Sequence, residues 1–128
     1  MFPYMVDPKR ATGGGDIPSF TWLPFDPSEP FIIPSCQGIQ VIPLPVEHGM
    51  YFSDGPAKPY ICMGFRIGQL SYISDTNRVS DATKQKIQGS RILILDALRE
   101  IPHGSHFSFD EVPTQMETAR TNARPKSL

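Results

Sequence analysis

The sequence has few cysteines and no long apolar run. Its two cysteines, Cys36 and Cys62, form no Cys-x-x-Cys pair and follow no secretory segment. We therefore expect two reduced, buried thiols rather than a disulfide. The longest apolar run after the first few residues, at positions 92–95, is too short to span a bilayer. These features predict a soluble cytoplasmic protein that does not insert into a membrane.

The sequence also lacks an excess of charge of either sign. Twelve Lys and Arg residues stand against thirteen Asp and Glu residues, which gives a net charge of −1. Such a balance provides no general attraction to nucleic acid or to an anionic membrane surface. Any recognition of phosphate must therefore be local to a site.

Proline is abundant and is concentrated early in the chain. Eleven of the fourteen prolines precede residue 60, so we expect a loop-rich first third with short strands only at 19–23 and 31–33. The run Gly13-Gly14-Gly15 is not followed by the Lys-Ser or Lys-Thr of a phosphate-binding loop. It therefore predicts a flexible hinge.

Two apolar segments each stop on a residue that can bind a metal. A strand over 41–47 leads to His48, another over 70–73 leads to Asp75, and a third strand over 60–68 lies between them. This order predicts that His48 and Asp75 lie on loops at one edge of a sheet. Neutral imidazole binds zinc, manganese or iron, and a carboxylate can join two metals. The alternatives are a structural histidine and an aspartate that only forms a turn.

The second half predicts a helix, a buried strand and a second helix. Ser80 is a suitable N-cap for a helix over 81–88 that ends at Gly89. Residues 91–97 form a nearly continuous apolar run, which predicts a strand near the centre of the sheet. A Ser-x-x-Glu capping box at 108–111 predicts a helix over 109–121. Asp96 closes the buried strand, and either orients a metal-binding histidine or pairs with Arg99.

These segments resemble the metallo-β-lactamase fold hydrolases, in particular the branch with the bacterial cyclic phosphodiesterase of phosphonate breakdown and related fungal hydrolases. The matching segments are Pro43-Leu44-Pro45-Val46-Glu47-His48-Gly49, Gly64-Phe65-Arg66-Ile67-Gly68, Tyr72-Ile73-Ser74-Asp75-Thr76-Asn77, Ile92-Leu93-Ile94-Leu95-Asp96-Ala97-Leu98-Arg99 and His106-Phe107-Ser108-Phe109. The resemblance implies an α/β fold, part of an αββα sandwich of mixed sheets flanked by helices. It also implies that His48 binds one metal, that Asp75 bridges two, and that His106 is a catalytic residue beside the substrate. It gives no role to His103.

The chain departs from the family pattern at both ends. The family's His-x-His-x-Asp-His motif does not occur among His48, His103 and His106, and no further metal histidine follows. We interpret residues 1–121 as the C-terminal part of the family domain and residues 122–128 as a disordered tail. The complete family site holds two divalent ions, zinc or manganese, and takes a small phosphodiester substrate. We expect this chain to bind metal weakly or not at all and to be a catalytically incomplete hydrolase. A non-catalytic interaction module is the alternative.

Overall fold

A computed structural model describes residues 22–51 and 55–116, together with residue 9. The elements are β1 (Phe31–Ile33), a 3-10 turn (Pro34–Cys36), β2 (Ile39–Tyr51), β3 (Lys58–Ile67), β4 (Leu70–Ile73), α1 (Asp81–Ile87), β5 (Ile92–Leu95) and α2 (Glu111–Gln115). The strands lie side by side in chain order as one five-stranded sheet. Pairing is antiparallel from β1 to β4 and parallel between β4 and β5. This mixed sheet with helices confirms the predicted α/β class.

Strand β2 is longer than the sequence predicted and contains an irregularity at His48. Its pairing with β3 is regular up to Glu47, shifts, and resumes at Met50. In between, His48 and Gly49 face Tyr60 alone, which is the geometry of a β-bulge. Gly49 has φ 70°, a conformation that favours glycine. His48 therefore lies in a bulge within the strand, and the prediction that it lies on a loop was wrong.

One face of the sheet, which we call the closed face, carries the hydrophobic core. Leu44, Val46 and Ile73 project from the strands and pack against side chains from α1, α2 and the intervening loops. The remaining buried members of this core are Val79, Ile87, Phe107 and Met116. All are at most 3% exposed, so the segment that carries Phe107 is held against the sheet by apolar burial.

Helix α1 begins at the predicted residue 81, whereas α2 begins at Glu111, two residues after the predicted start at 109. The Ser80 hydroxyl accepts a hydrogen bond from the Thr83 amide at 3.2 Å, and α1 ends just before Gly89, whose φ is 86°. At α2, the Glu111 carboxylate accepts from both the amide and the hydroxyl of Ser108, at 2.8 and 2.7 Å. This is the backward half of a capping box. The part of the predicted second helix beyond residue 116 lies outside the described residues.

The opposite face, which we call the open face, is apolar and largely exposed. Residues that project from it enclose a shallow apolar depression of about 400 Å³. They are Phe31, Ile33, Val41, Phe65, Ile67, Leu70 and Tyr72. Strand β5 lies at the edge of the described sheet, with Ile92 58% and Ile94 49% exposed. The predicted central position of this strand was therefore wrong for the described residues, in which β5 pairs with β4 alone.

Other predictions for the early and late parts of the chain have mixed outcomes. The glycine run at 13–15, the tail at 122–128 and most of the strand predicted at 19–23 lie outside the described residues, although β1 confirms the strand at 31–33.

Both thiols are free, but Cys36 is exposed, so its predicted burial was wrong. Burial raises the pKa of the half-buried Cys62 thiol, and the negative charge of Asp75 raises it further. Among the described residues, no helix combines the length and the apolar composition needed to cross a membrane.

Candidate metal centre

Three side chains of metal-binding type meet at one end of the sheet, where His48 lies in β2 and Asp75 lies two residues beyond the end of β4. One potential ligand atom from each of His48, Asp75 and His106 lies within 4.8 Å of the other two. All three residues are partly buried. The rings of His48 and His106 approach edge to face, with their centroids 4.7 Å apart. The structure thus brings together the three residues that the sequence singled out, although they are up to 58 positions apart (106 − 48).

The tautomer of His48 is fixed by a backbone carbonyl. Its Nδ1 lies 2.8 Å from the carbonyl oxygen of Ser105. Because a carbonyl only accepts, Nδ1 must carry the proton, and this leaves Nε2 with a free lone pair in the neutral ring. The neighbouring Gly49 allows this close approach, since a Cβ at that position would lie 3.0 Å from the Ser105 Cβ.

Asp75 begins a short segment that connects the other parts of the site. The next residue, Thr76, is fully buried, and its hydroxyl lies 2.9 Å from the carbonyl oxygen of Glu47. Its carbonyl accepts a hydrogen bond from the Phe107 amide at 2.8 Å. Thr76 therefore ties the end of β4 both to the strand segment before His48 and to the segment after His106. Within the described part of the chain, every buried side-chain nitrogen and oxygen has a hydrogen-bond partner, as a preorganised polar network requires.

His106 is oriented by a carboxylate. Its Nδ1 lies 2.6 Å from Oδ2 of Asp96, and the same oxygen accepts a hydrogen bond from the Thr76 amide at 3.0 Å. The two side chains are 19% and 10% exposed. Arg99 donates instead to the carbonyl of Pro102 at 3.3 Å. Of the two roles that the sequence left open for Asp96, the structure supports orientation of a histidine, and this histidine is His106.

Two further rings flank the cluster. The Tyr60 ring centroid lies 6.3 Å from that of His48, and the exposed His103 ring lies 5.2 Å from that of His106. His103 Nδ1 accepts a hydrogen bond from the Ser105 amide at 3.3 Å, so it stabilises the turn that leads to His106.

Sequence reasoning missed two residues that shape the site, Asn77 and Ser105. The Asn77 side chain accepts a hydrogen bond from the Gly49 amide and donates one to the Gly104 carbonyl. The only signal was that Asn77 belongs to the Ser-Asp-Thr-Asn run, which the sequence suggested as turn chemistry. The Ser105 contribution is a backbone carbonyl, which no side-chain pattern reveals.

The fold and the cluster define a mixed α/β protein with a candidate metal centre at one edge of its sheet. Residues 2–125 match the family model described as the beta-lactamase superfamily domain. The chain belongs to this superfamily, a hydrolase lineage with the metallo-β-lactamase fold. Both the recognition of the family and the predicted fold are thereby confirmed.

One solved structure with a similar fold is that of "a New Diphosphatase from the PhnP Family". It is 30% identical to this chain and superposes with a TM-score of 0.59 over 72% of the chain. The match covers 32% of the diphosphatase, so this chain corresponds to about a third of that protein's length. A search of curated proteins found no match.

Proposed function

We propose that this site is part of a phosphodiester-hydrolysing metal centre in which His48 and Asp75 bind divalent ions, zinc or manganese. The observation that carries the proposal is the convergence of His48, Asp75 and His106, whose ligand-type atoms lie within 4.8 Å of one another. The diphosphatase with the similar fold supports a small phosphate-ester substrate.

The donor set fits a divalent metal. The hydrogen bond from Nδ1 of His48 leaves Nε2 as the ligand atom, and such a partner is the usual support for a metal-binding imidazole. Asp75 offers a carboxylate with two oxygens, which suits a bridge between two ions. When bound, such ions supply an activated water and stabilise charge on phosphoryl oxygens.

His106 acts as the proton donor on the substrate side of the site. The Asp96 carboxylate, 2.6 Å from Nδ1, accepts the hydrogen bond of that nitrogen and leaves Nε2 as the atom that exchanges a proton with the substrate. A leaving alkoxide oxygen within reach of Nε2 would take that proton. Asp96 thus serves as the positioning residue for His106.

The 128 residues by themselves are catalytically incomplete in this proposal. They contain no His-x-His-x-Asp-His motif, and catalytic zinc sites normally use three protein ligands plus water. The chain therefore binds metal weakly, and full activity belongs to a protein with the additional ligands. Its cytoplasmic location and its domain boundaries remain predictions.

The first experiment uses the 128-residue chain with added manganese or zinc and an activated phosphodiester. We expect turnover equal to that of Asp75→Asn, and weak metal binding that is weaker still in this variant. Asp110→Asn is the matched control, because it removes an exposed carboxylate outside the cluster. Robust turnover that depends on Asp75 would contradict the proposed incompleteness. Tightly held metal that is indifferent to both His48→Ala and Asp75→Asn would contradict the ligand assignment.

The second experiment uses a complete homologous chain. Replacing the aspartate equivalent to Asp75 with asparagine should abolish turnover. Replacing the histidine equivalent to His106 with alanine should lower turnover by about 10²–10⁴-fold, as loss of a positioned proton donor does. Metal content should stay intact in the second variant. Loss of metal there would show that this histidine is a third ligand and not the proton donor.

A non-catalytic interaction module is the second candidate function, and the open face is the observation that favours it. An exposed apolar surface of this kind is typical of a surface that binds another protein. A complete homologous chain that binds no metal and turns over no diester would favour this candidate over the hydrolase.

A further inference from the structure

The Asn77 side chain bridges two segments of the candidate site that are distant in sequence. Its Oδ1 accepts a hydrogen bond from the Gly49 amide at 3.0 Å, and its Nδ2 donates to the Gly104 carbonyl at 2.7 Å. Its own amide donates to the Glu47 carbonyl at 2.9 Å, which ties its backbone to β2. One side chain thus holds the bulge of β2 against the loop before His106.

Each bridged residue is the chain neighbour of one partner in the hydrogen bond between His48 and Ser105. Gly49 directly follows His48, and Gly104 directly precedes Ser105, whose carbonyl accepts the proton on Nδ1 of His48. The geometry of that bond therefore depends on how the bulge and the loop are placed relative to each other. The amide group of Asn77 satisfies both sides at once because it has an acceptor and a donor on one rigid plane.

We propose that Asn77 is a positioning residue that holds His48 in the tautomer able to bind a metal. It keeps the Ser105 carbonyl opposite Nδ1 of His48, so the lone pair of the neutral ring stays on Nε2. Without this bridge the bulge and the loop separate, and the neutral ring of His48 samples both tautomers. The part of the inference that concerns metal rests on the proposed function, whereas the part that concerns the tautomer stands without it.

The first measurement is a long-range proton–nitrogen NMR spectrum of the metal-free 128-residue chain at mildly alkaline pH, where imidazole is neutral. We expect the wild-type His48 ring to carry its proton on Nδ1 alone. In Asn77→Ala we expect a mixture of the two tautomers. The signals of His48 are assigned by their loss in His48→Gln. A single Nδ1–H tautomer in Asn77→Ala would overturn the inference.

The matched control is Ser71→Ala. Ser71 is fully buried, as Thr76 is in the site, and its hydroxyl is hydrogen-bonded to that of Ser90 at 2.7 Å, but it lies outside the cluster. This variant also loses one side-chain hydrogen bond, and we expect it to keep the wild-type tautomer. An equal shift in Ser71→Ala would show that the tautomer responds to general loss of stability, which would also overturn the inference.

A second variant covers the case in which Asn77→Ala does not fold. Asn77→Asp keeps the shape of the side chain and the acceptor for Gly49, but it cannot donate to Gly104. We expect it to shift the tautomer of His48 in the same direction as Asn77→Ala. A folded Asn77→Asp with the wild-type tautomer would contradict a role for the bond to Gly104.

The second measurement is a titration with Zn²⁺ alone. Loss of a residue that orients a metal ligand typically weakens affinity by about 10–100-fold, and we expect a decrease in this range for Asn77→Ala but not for Ser71→Ala. Unchanged affinity in Asn77→Ala despite mixed tautomers would contradict the link to metal. If the wild-type chain and the complete homologous chain both bind no Zn²⁺, the proposed metal centre fails, while the tautomer spectra still decide the role of Asn77.

Discussion

The two faces of the sheet differ in how completely the described residues cover them. On the closed face Ile73 is 1% exposed, whereas on the open face Tyr72, its neighbour in β4, is 47% exposed. Successive side chains of a strand point to opposite faces, so these two values describe the same strand viewed from its two sides. The closed face has helices and the segment around Phe107 above it. On the open face, the Phe25 ring stacks on that of Phe31 in β1 near one end.

The difference shows that the candidate site depends on one face only. The segment with His106 continues into Phe107, which is buried in the core of the closed face, and the Phe107 amide bonds to Thr76 at 2.8 Å. The site is therefore anchored to the core of the closed face by contacts within the described residues. Substitutions on the closed face should accordingly change folding stability, and substitutions on the open face should change association.

The largest effect should follow from removing the core anchor of the closed face. We expect Phe107→Ala to lower the free energy of unfolding by about 3–5 kcal/mol, as loss of a buried aromatic side chain typically does. Phe109→Ala is the matched control, because Phe109 is 52% exposed. Urea unfolding measures both. Equal losses in the two variants would show that Phe107 is not the anchor.

Charges introduced on the open face should change the free energy of unfolding only slightly and should reduce association. We expect Ile67→Lys and Ile94→Lys, at residues 44% and 49% exposed, to change the free energy of unfolding by less than about 0.5 kcal/mol. We also expect wild-type protein to self-associate increasingly as its concentration rises, and both variants to do so less, because exposed apolar patches and strand edges drive association. Sedimentation and light scattering test this. A wild-type protein that stays monomeric at every concentration tested would contradict it.

The smallest effect should be the pH dependence of the cap on α2. Hydrogen bonds from the Ser108 amide and hydroxyl lower the pKa of Glu111 below its ordinary value. A lowered folded-state pKa contributes stability that is present above the unfolded-state pKa and lost as pH falls through the folded value. Glu111→Gln should therefore melt at a slightly lower temperature than wild type at neutral pH, and the two should converge in acid. An equal difference at every pH, or the same behaviour in Asp110→Asn, would contradict this account.

Much of the fold was predictable because its signals are local. The N-cap at Ser80, the capping box at Ser108 and Glu111 and the strands that lead to His48 and Asp75 each depend on residues a few positions apart. These signals located α1 and most of the sheet. The bulge at His48 was missed because it depends on Gly49 meeting Ser105, a contact between segments that no periodicity connects.

The site was predictable in its ligand types and only partly in its supports. Only a few residue types bind metal ions, and the family resemblance indicated His48, Asp75 and His106. The supports of the imidazoles come from Asp96, from the Ser105 carbonyl and from Asn77. The sequence offered orientation of a histidine as one of two roles for Asp96. A backbone carbonyl and an asparagine are common in turns, so the roles of Ser105 and Asn77 follow only from three-dimensional distance. The edge position of β5 was also missed, because an apolar run indicates burial but not which neighbour provides it.

The β-bulge at His48 has a consequence for the order in which the protein assembles. Strands β2 and β3 are neighbours in the chain and pair as a hairpin, an event that takes about 1–10 μs. The carbonyl that fixes the His48 ring is 57 residues further along the sequence. Because synthesis proceeds at about 5–20 residues per second, the hairpin has time to form before the loop at Ser105 emerges from the ribosome. His48 spends that interval without its partner, and His48, Asp75 and His106 come together only when one of the last described segments docks.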